Sequence, residues 1–351
     1  MVTLVIMYLG LGALTLLICV LGNPIGSLCG VLDEPDTDRK LHFRAVPLVG
    51  GLAVLLPVWV LSLVLAFTGS TPLIYGALAF AIAAFFTLGF VDDRRRLPAH
   101  LRLFVSTVLC GGLLAVVGDF QLISLKFSFL PAAVPLGAFS AAFTILVLVG
   151  FLNAVNMADG TNGVVIGLSL IWSVLLLNDA PPEIVPLLIT LSVGLVITLA
   201  FNLKGRVFLG DSGVYALSVL IGLFAIYSYI LRYPQLPADT VMIWFLIPVL
   251  DCLRLMISRM LNGRSAFSPD RDHLHHRLLV LMPHTWTLVC YLLVVGVPSL
   301  LAVMFPSLNG YWIVLSLGLY GMIYAATKIR IFTKTSLLRS SKSESATASR
   351  S

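Results

Sequence analysis

Aspartates recur in short polar clusters that are separated by long apolar segments. Asp92 and Asp93 are adjacent and precede three arginines, and Asp211 lies between Gly210 and Gly213. Mg²⁺ is usually held in proteins by one or two carboxylates together with substrate phosphates. Each cluster alone also fits a structural use, since Asp is a preferred helix cap and acids neutralise neighbouring arginines. Their repetition along the chain favours a site for a divalent cation and a phosphate.

A further cluster combines amides with an acid and spans residues 153–163, which read Asn-Ala-Val-Asn-Met-Ala-Asp-Gly-Thr-Asn-Gly. Its first three polar side chains are three residues apart and fall near one face of a helix. The glycines let a ligand approach the backbone. A helix cap would need one polar residue, whereas this segment has four in ten positions. We therefore interpret the cluster as functional; its polar members are Asn153, Asn156, Asp159 and Asn162.

Three histidines follow one another in residues 268–277, Ser-Pro-Asp-Arg-Asp-His-Leu-His-His-Arg. His273, His275 and His276 lack the i, i+4 spacing of helical zinc ligands, and no Cys or Glu completes a tetrahedral set. With Arg264 and the neighbouring arginines they predict a surface that binds an anion such as a diphosphate. A solvated polar loop is the less favoured alternative.

Two polar features remain open at the level of sequence. Asp251 lies inside an apolar segment, where an ionisable residue is a functional candidate by default, but it could simply pair with Arg254. Residues 33–42 contain Lys40 and His42 among several acids, and taken alone they fit a solvated charged loop. No GxxxxGK[ST] motif is present, so the sequence does not indicate a Walker-type nucleotide site.

These clusters must be positioned by membrane helices, because 59% of the 351 residues are hydrophobic and only 11% are charged. Soluble domains carry about 25% charged residues. The apolar segments approach the roughly 20 residues that a spanning helix needs. We predict an all-α, polytopic bundle of about eleven transmembrane helices, at residues 1–21, 47–67, 73–91, 101–117, 134–152, 160–177, 184–203, 214–231, 241–260, 286–305 and 311–327.

The distribution of basic residues predicts the orientation of this bundle. When the connecting segments alternate between two faces, twenty of the 22 Lys and Arg fall on one face, and only Lys126 and Arg232 on the other. The positive-inside rule makes the first face cytoplasmic, with the N-terminus outside and the C-terminus inside. All six histidines and twelve of the sixteen acids lie on that same face. The net charge of +6 then reflects orientation and attraction to anionic membrane lipids, and gives no reason to expect a nucleic acid.

The chain divides into two parts by composition. Residues 1–334 form the predicted transmembrane domain. Residues 335–351 are Ser-rich and basic, and we predict a disordered cytoplasmic tail.

Five separated segments, taken in order, resemble the polyprenyl-phosphate N-acetylhexosamine-1-phosphate transferase family. They are residues 47–51, the Asp92-Asp93 pair, NxxNxxDG at 153–160, VFxGD at 207–211 and SPDRxHxHH at 268–276. The HxHH form resembles the bacterial enzymes that start O-antigen, enterobacterial common antigen or teichoic acid linkage units. It differs from the peptidoglycan branch, which usually has a three-histidine run after Ala-Pro.

The resemblance implies an enzyme that transfers a sugar 1-phosphate, most simply N-acetylglucosamine 1-phosphate, from a UDP-N-acetylhexosamine to undecaprenyl phosphate. UMP is released, and Mg²⁺ (or Mn²⁺) is the cofactor. The fold and location implied are a multi-pass bundle in the bacterial inner membrane, commonly dimeric, with its site facing the cytoplasm.

The resemblance also implies roles for individual residues. Asp211 and Asn156 would hold the metal, while Asp159 and Asn162 would lie by the uridine. Many members have a second Asp where this chain has Asn162, so a charged role is not carried over to it. The expected catalytic residues are Asp92, Asp93, Asp211, His273, His275 and His276. The expected substrate-binding residues are Lys40, His42, Asn153, Asp159, Asn162, Asn202 and Arg264, with Lys40, His42 and Asp92 near the lipid phosphate.

A lipid or solute transporter with a cytoplasmic anion site is the main alternative class. Transporters place polar groups near the bilayer midplane on broken helices that are related by a repeat. Here the polar clusters fall at the predicted helix ends, and among charged residues only Asp251 and Arg254 lie within a helix interior. A membrane scaffold without catalytic activity is the third class, but it would not need amides, acids and histidines together.

Overall fold

The computed structural model describes residues 2–34, 45–232, 235–268 and 272–348, with side chains described between residues 5 and 330 of those ranges. The described chain is almost entirely helical, as predicted. The helices are α1 (Val2–Val20), α2 (Gly22–Cys29), α3 (Gly50–Thr68), α4 (Pro72–Arg95), α5 (Ala99–Val116), α6 (Ser140–Ala158), α7 (Val164–Asp179), α8 (Val185–Asn202), α9 (Gly210–Arg232), α10 (Ala238–Leu261), α11 (Leu274–Leu281), α12 (His284–Met304) and α13 (Asn309–Ala348). Two short antiparallel hairpins pair β1 (Leu32–Asp33) with β2 (Val46–Pro47) and β3 (Ser124–Leu125) with β4 (Val134–Pro135).

Nine helices in the described part of the chain are long and apolar enough to cross a membrane, and α1 with α2 makes a tenth if this pair, bent by 70°, counts as one span. Each of the eleven predicted segments contains a helix. The sixth, α7, has only 16 residues, or about 24 Å at 1.5 Å per residue. It is shorter than predicted because residues 159–163 form a turn in which Gly163 has a φ of +86°. That length falls short of a bilayer core of about 30 Å.

Helix α9 is the centre of the bundle, and every residue from Ser212 to Tyr229 is buried. Its N-terminal end packs closely on α3 and α4 through glycines. A Cβ atom added to Gly51 would lie 2.3 Å from the Cα of Gly213, and one added to Gly89 would lie 2.3 Å from the backbone oxygen of Asp211. Small residues let helix backbones approach in this way. Three helices are thereby locked together next to Asp211.

The polar residues are sorted to the two ends of the bundle. At the end where α4, α8 and α10 begin, Tyr75 donates a hydrogen bond to the backbone oxygen of Glu183, and the backbone N–H of Ser128 donates to Asp239 at 2.9 Å. The clusters at 92–93, 153–163 and 211 lie at the opposite end, where α4, α6 and α8 finish and α9 starts. This separation agrees with the predicted division of the connecting segments between two faces of the bundle. The assignment of one face to the cytoplasm stays a prediction.

The helical backbone of α13 continues through Ala348, past the start of the tail that composition favours as disordered. The side chains after Arg330 lie outside the described residues. The division of the chain at residue 335 therefore stays a prediction.

Candidate functional site

The N-terminus of α9 is held by a carboxylate from α4. The Asp93 oxygens accept hydrogen bonds from the backbone N–H groups of Asp211 (2.8 Å) and Ser212 (3.0 Å). The first N–H groups of a helix have no partner within the helix, so Asp93 satisfies two of them. Gly210 makes the preceding turn with a φ of +74°, a conformation that glycine adopts without strain. Asp93 thus positions Asp211. A catalytic role for Asp93 itself stays a prediction.

The predicted pair Asn156 and Asp211 is brought together by α6 and α9. The Asn156 amide nitrogen donates to Oδ1 of Asp211 at 2.8 Å. Asp159 follows at the end of α6, where its side chain is open to solvent. The carboxylates of Asp93, Asp159 and Asp211 lie near enough to one another to repel electrostatically. This crowding of negative charge favours binding of a cation.

The oxygen atoms of this pair fit a hard cation better than a soft one. No three His, Cys, Asp or Glu side chains among the described residues lie close enough to form a metal site by themselves. Mg²⁺ needs no such set, because it commonly binds one or two protein carboxylates and completes its shell with water and substrate phosphates. Asp211, with the amide of Asn156 beside it, suits that mode of binding.

Asp92 makes all of its described contacts inside the protein. It is 3% exposed, and its oxygens accept from the Leu97 backbone N–H (2.6 Å), the Tyr215 hydroxyl (2.5 Å) and the Arg102 guanidinium (3.0 Å). Arg102 also donates to the Tyr215 hydroxyl at 2.9 Å. The carboxylate is therefore arranged to fix Arg102 and Tyr215, and not presented as a free base. The sequence analysis identified neither partner; Arg102 is a charged residue at the second position of the predicted apolar segment 101–117.

Two predicted substrate-binding amides have structural partners. Asn202 donates to the Val207 backbone oxygen (2.9 Å) and accepts from the Gly163 N–H (2.7 Å), so it ties the 159–163 turn to the loop before α9. Asn153 donates to the Val149 oxygen within α6. Substrate contacts by these two amides stay predictions.

The remaining predicted contacts fall at the edge of the site or outside the described residues. Asn162 is half-buried in the 159–163 turn, and Arg264 is exposed on the loop after α10. Lys40 and His42 lie outside the described residues.

The HxHH segment begins α11 and packs against the Asp159–Gly160 turn. His275 is 1% exposed, and a Cβ atom on Gly160 would lie only 2.0 Å from its Nε2. Both ring nitrogens of His275 lack a hydrogen-bond partner among the described residues. Burial lowers the pKa of His275 to about 3, so the ring is neutral near pH 7. Buried polar atoms are normally paired, so the His275 ring has hydrogen-bonding capacity that no described residue uses.

A basic recess lies next to the carboxylates at the end of α4. Phe90, Val91, Arg94 and Arg95 line a cavity of about 390 Å³. Both arginines are exposed, and the Arg94 guanidinium lies over the Phe90 ring at 5.7 Å. Guanidinium groups bind phosphate with charge-assisted hydrogen bonds. The recess combines two cationic side chains with apolar walls. This combination suits the charged headgroup and the adjoining apolar part of an anionic lipid.

Comparisons with known proteins cover most of the chain. The model of glycosyl transferase family 4 matches residues 75–229, which include Asp92, Asp93, Asp211 and the polar cluster at 153–163, and end before α11. An undecaprenyl-phosphate α-N-acetylglucosaminyl 1-phosphate transferase of Yersinia pestis is 31% identical over 266 residues, covering 71% of this chain and 70% of that protein. A protein of the same name from Escherichia coli O157:H7 is 27% identical over 280 residues, covering 76% and 73%.

Proposed function

The chain belongs to the polyprenyl-phosphate N-acetylhexosamine-1-phosphate transferases, a family of membrane enzymes, and from this premise we propose its reaction. It transfers N-acetylglucosamine 1-phosphate from UDP-N-acetylglucosamine to undecaprenyl phosphate and releases UMP. The names of the similar proteins from Yersinia pestis and Escherichia coli support this acceptor and this sugar. The reaction would take place at the cytoplasmic face of a bacterial inner membrane, as the first membrane step of a surface polysaccharide such as O-antigen.

The reaction is a phosphoryl transfer between two anions. An oxygen of the acceptor phosphate attacks the β-phosphorus of the UDP-sugar, the bond from that phosphorus to the bridging oxygen breaks, and UMP leaves. Mg²⁺, held by Asp211 with Asn156, would neutralise charge on the diphosphate when bound. Asp93 keeps Asp211 in place through the N-terminus of α9. Asp159 and Asn162 are proposed to lie by the uridine.

The single observation that carries the proposal is the meeting of three elements at one end of the bundle. Helix α6 carries Asn156, which bonds to Asp211, and ends at the Asp159–Gly160 turn, and this turn lies against the buried imidazole of His275. The ring nitrogens of His275 have no hydrogen-bond partner among the described residues. A diphosphate would supply the missing partner for the ring. The basic recess at Arg94 and Arg95 would take the acceptor phosphate, and it lies on the last turns of α4, the helix that also carries Asp93.

A panel of UDP-sugars, each labelled in the sugar and offered to membranes containing the protein, tests the donor. We expect label from UDP-N-acetylglucosamine, or from its epimeric or 6-deoxy relatives, to enter the lipid fraction. UDP-N-acetylmuramoyl-pentapeptide should not serve. Robust transfer from the muramoyl-pentapeptide donor would show that the chain belongs with the peptidoglycan branch. The expected homodimer stays a prediction.

Labelling of single cysteines in a cysteine-free background tests the orientation. Arg264 and Ile123 are both exposed and lie at opposite ends of the bundle. In intact cells an impermeant thiol reagent should modify Ile123→Cys and leave Arg264→Cys untouched until the membrane is permeabilised, because the basic face is cytoplasmic. Modification of position 264 from outside would reverse the proposed topology.

A further inference from the structure

Asp251 is a buried carboxylate that joins three helices at the end of the bundle that holds the HxHH segment. It lies within α10 and is 5% exposed. Its Oδ1 accepts from the Arg254 guanidinium (3.0 Å) and the Tyr320 hydroxyl of α13 (2.8 Å), and its Oδ2 accepts from the backbone N–H of Leu274 (3.0 Å). An ionised side chain inside a membrane helix is costly in free energy unless it is paired. The charge and the hydrogen-bonding capacity of Asp251 are satisfied by partners within the protein.

The partners of Asp251 include the segment that carries the predicted catalytic histidines. Leu274 is the first residue of α11, so the carboxylate caps this helix from outside. The Nδ1 atom of His273, the residue just before, lies 3.6 Å from Oδ2 of Asp251. The carboxylate thus contacts both the start of α11 and the first ring of the HxHH segment.

Arg254 extends the same network to both sides of the HxHH segment. Its guanidinium donates to the Asp272 carboxylate at 2.9 Å and also to the Asp272 backbone oxygen. Arg277, which follows the histidines, donates to the same Asp272 carboxylate at 2.8 Å and lies over the ring of Tyr324 at 3.9 Å. The HxHH segment is therefore fixed before and after the histidines by ionic contacts that lead back to α10 and α13.

Helix α11 needs such support because it has only eight residues. Isolated helices shorter than about 12 residues are marginal in water. Its position, and with it the position of His275 against Gly160, must come from tertiary contacts. Asp251 caps its first turn and lies far along the sequence from it, so it couples the histidines to the rigid bundle.

We propose that Asp251 is a positioning residue for the transfer reaction. Its carboxylate holds the N-terminus of α11 and faces His273, and thereby keeps the histidines directed at the Asp159–Gly160 turn. It does not bind substrate or metal itself. The assignment rests on the proposed function for its effect on rate, whereas its effect on α11 is independent of the reaction.

The test compares Asp251→Asn with Asp239→Asn. Both residues are buried in α10 and both accept hydrogen bonds, but Asp239 lies at the opposite end of the bundle, bonded to Ser128. Asp251→Asn should lower kcat on the order of 10- to 100-fold, the loss expected when the outer partner of a site residue is removed. The KM for UDP-N-acetylglucosamine should change little. Asp239→Asn should lower the melting temperature and leave the kcat of the folded protein unchanged.

Amide hydrogen exchange gives a readout that does not depend on catalysis. Exchange of the α11 amides should accelerate in Asp251→Asn and not in Asp239→Asn. Tyr320→Phe removes the hydroxyl that donates to Asp251 and accepts from Arg254 at 2.6 Å, but removes no charge. It should shift exchange and kcat in the same direction by less, and it is the variant to use if Asp251→Asn does not fold. Unchanged α11 exchange would overturn the proposal. Faster α11 exchange with unchanged kcat would also overturn it, while absence of transfer by the unaltered protein would instead reject the proposed function.

Discussion

Replacing Asp211 by asparagine should lower kcat by roughly 10²- to 10³-fold, the scale of losing one preorganised electrostatic contact at a reacting centre. Its carboxylate is the acidic member of the pair with Asn156. Asparagine keeps the size of the side chain and one oxygen. It loses the negative charge of the carboxylate, which attracts Mg²⁺ and neutralises part of the charge of the cation. The backbone N–H that bonds to Asp93 is retained, so the start of α9 should keep its structure.

The measurement is kcat as a function of Mg²⁺ concentration, together with thermal unfolding of the purified variant. Asp179→Asn is the matched control, because Asp179 is an acid at the opposite end of the bundle that contacts Asn178. This control should retain normal turnover. Near-normal turnover of Asp211→Asn at low Mg²⁺ would reduce Asp211 to a structural partner of Asn156.

Gly160→Ala should abolish most of the activity through a steric effect on His275. The added Cβ would lie 2.0 Å from Nε2 of that ring, far inside van der Waals contact. The ring is 1% exposed, so protein atoms surround it and the added methyl group must displace it or the turn. Overpacking of this kind costs about 1–3 kcal/mol of stability. A displacement of about 1 Å in a catalytic group can lower the rate by about 10²-fold.

Gly150→Ala is the matched control for this substitution. Gly150 lies in α6, the helix that leads to Gly160, and a Cβ added there meets no atom within 4 Å. The control should fold and turn over normally, with a small gain in helix stability. Equal activity of the two variants, measured as kcat at saturating donor, would mean that His275 does not need its position against the turn.

The features that could be predicted from sequence are those that depend on local sequence patterns. Long apolar segments predicted the helices. The bias of basic residues between the connecting segments predicted that the polar clusters lie at one end of the bundle. The spacing of Asn153, Asn156 and Asp159 identified the polar end of α6. The structure brings this end of α6 to Asp211 and to the HxHH segment, as a shared site requires.

The features that sequence could not supply depend on contacts between distant residues. The expected role of Asp92 near the acceptor phosphate stays a prediction. Its carboxylate bonds to Arg102 and to Tyr215, which lies 123 residues further along the chain. No spacing rule relates these positions. Asp251 was left between two roles, and the structure shows that it pairs with Arg254 and also caps α11. The second contact depends on the tertiary structure, because it joins α10 to α11 across 23 residues of sequence.

The central claim is transfer of a sugar together with its phosphate, and the fate of the β-phosphorus tests it most directly. Purified protein is given UDP-N-acetylglucosamine labelled with ³²P at the β-phosphate, undecaprenyl phosphate and Mg²⁺. The account predicts that the label enters the lipid fraction while unlabelled UMP is released, and that neither occurs without the acceptor lipid. Release of the label as UDP, with only the sugar reaching the lipid, would contradict it.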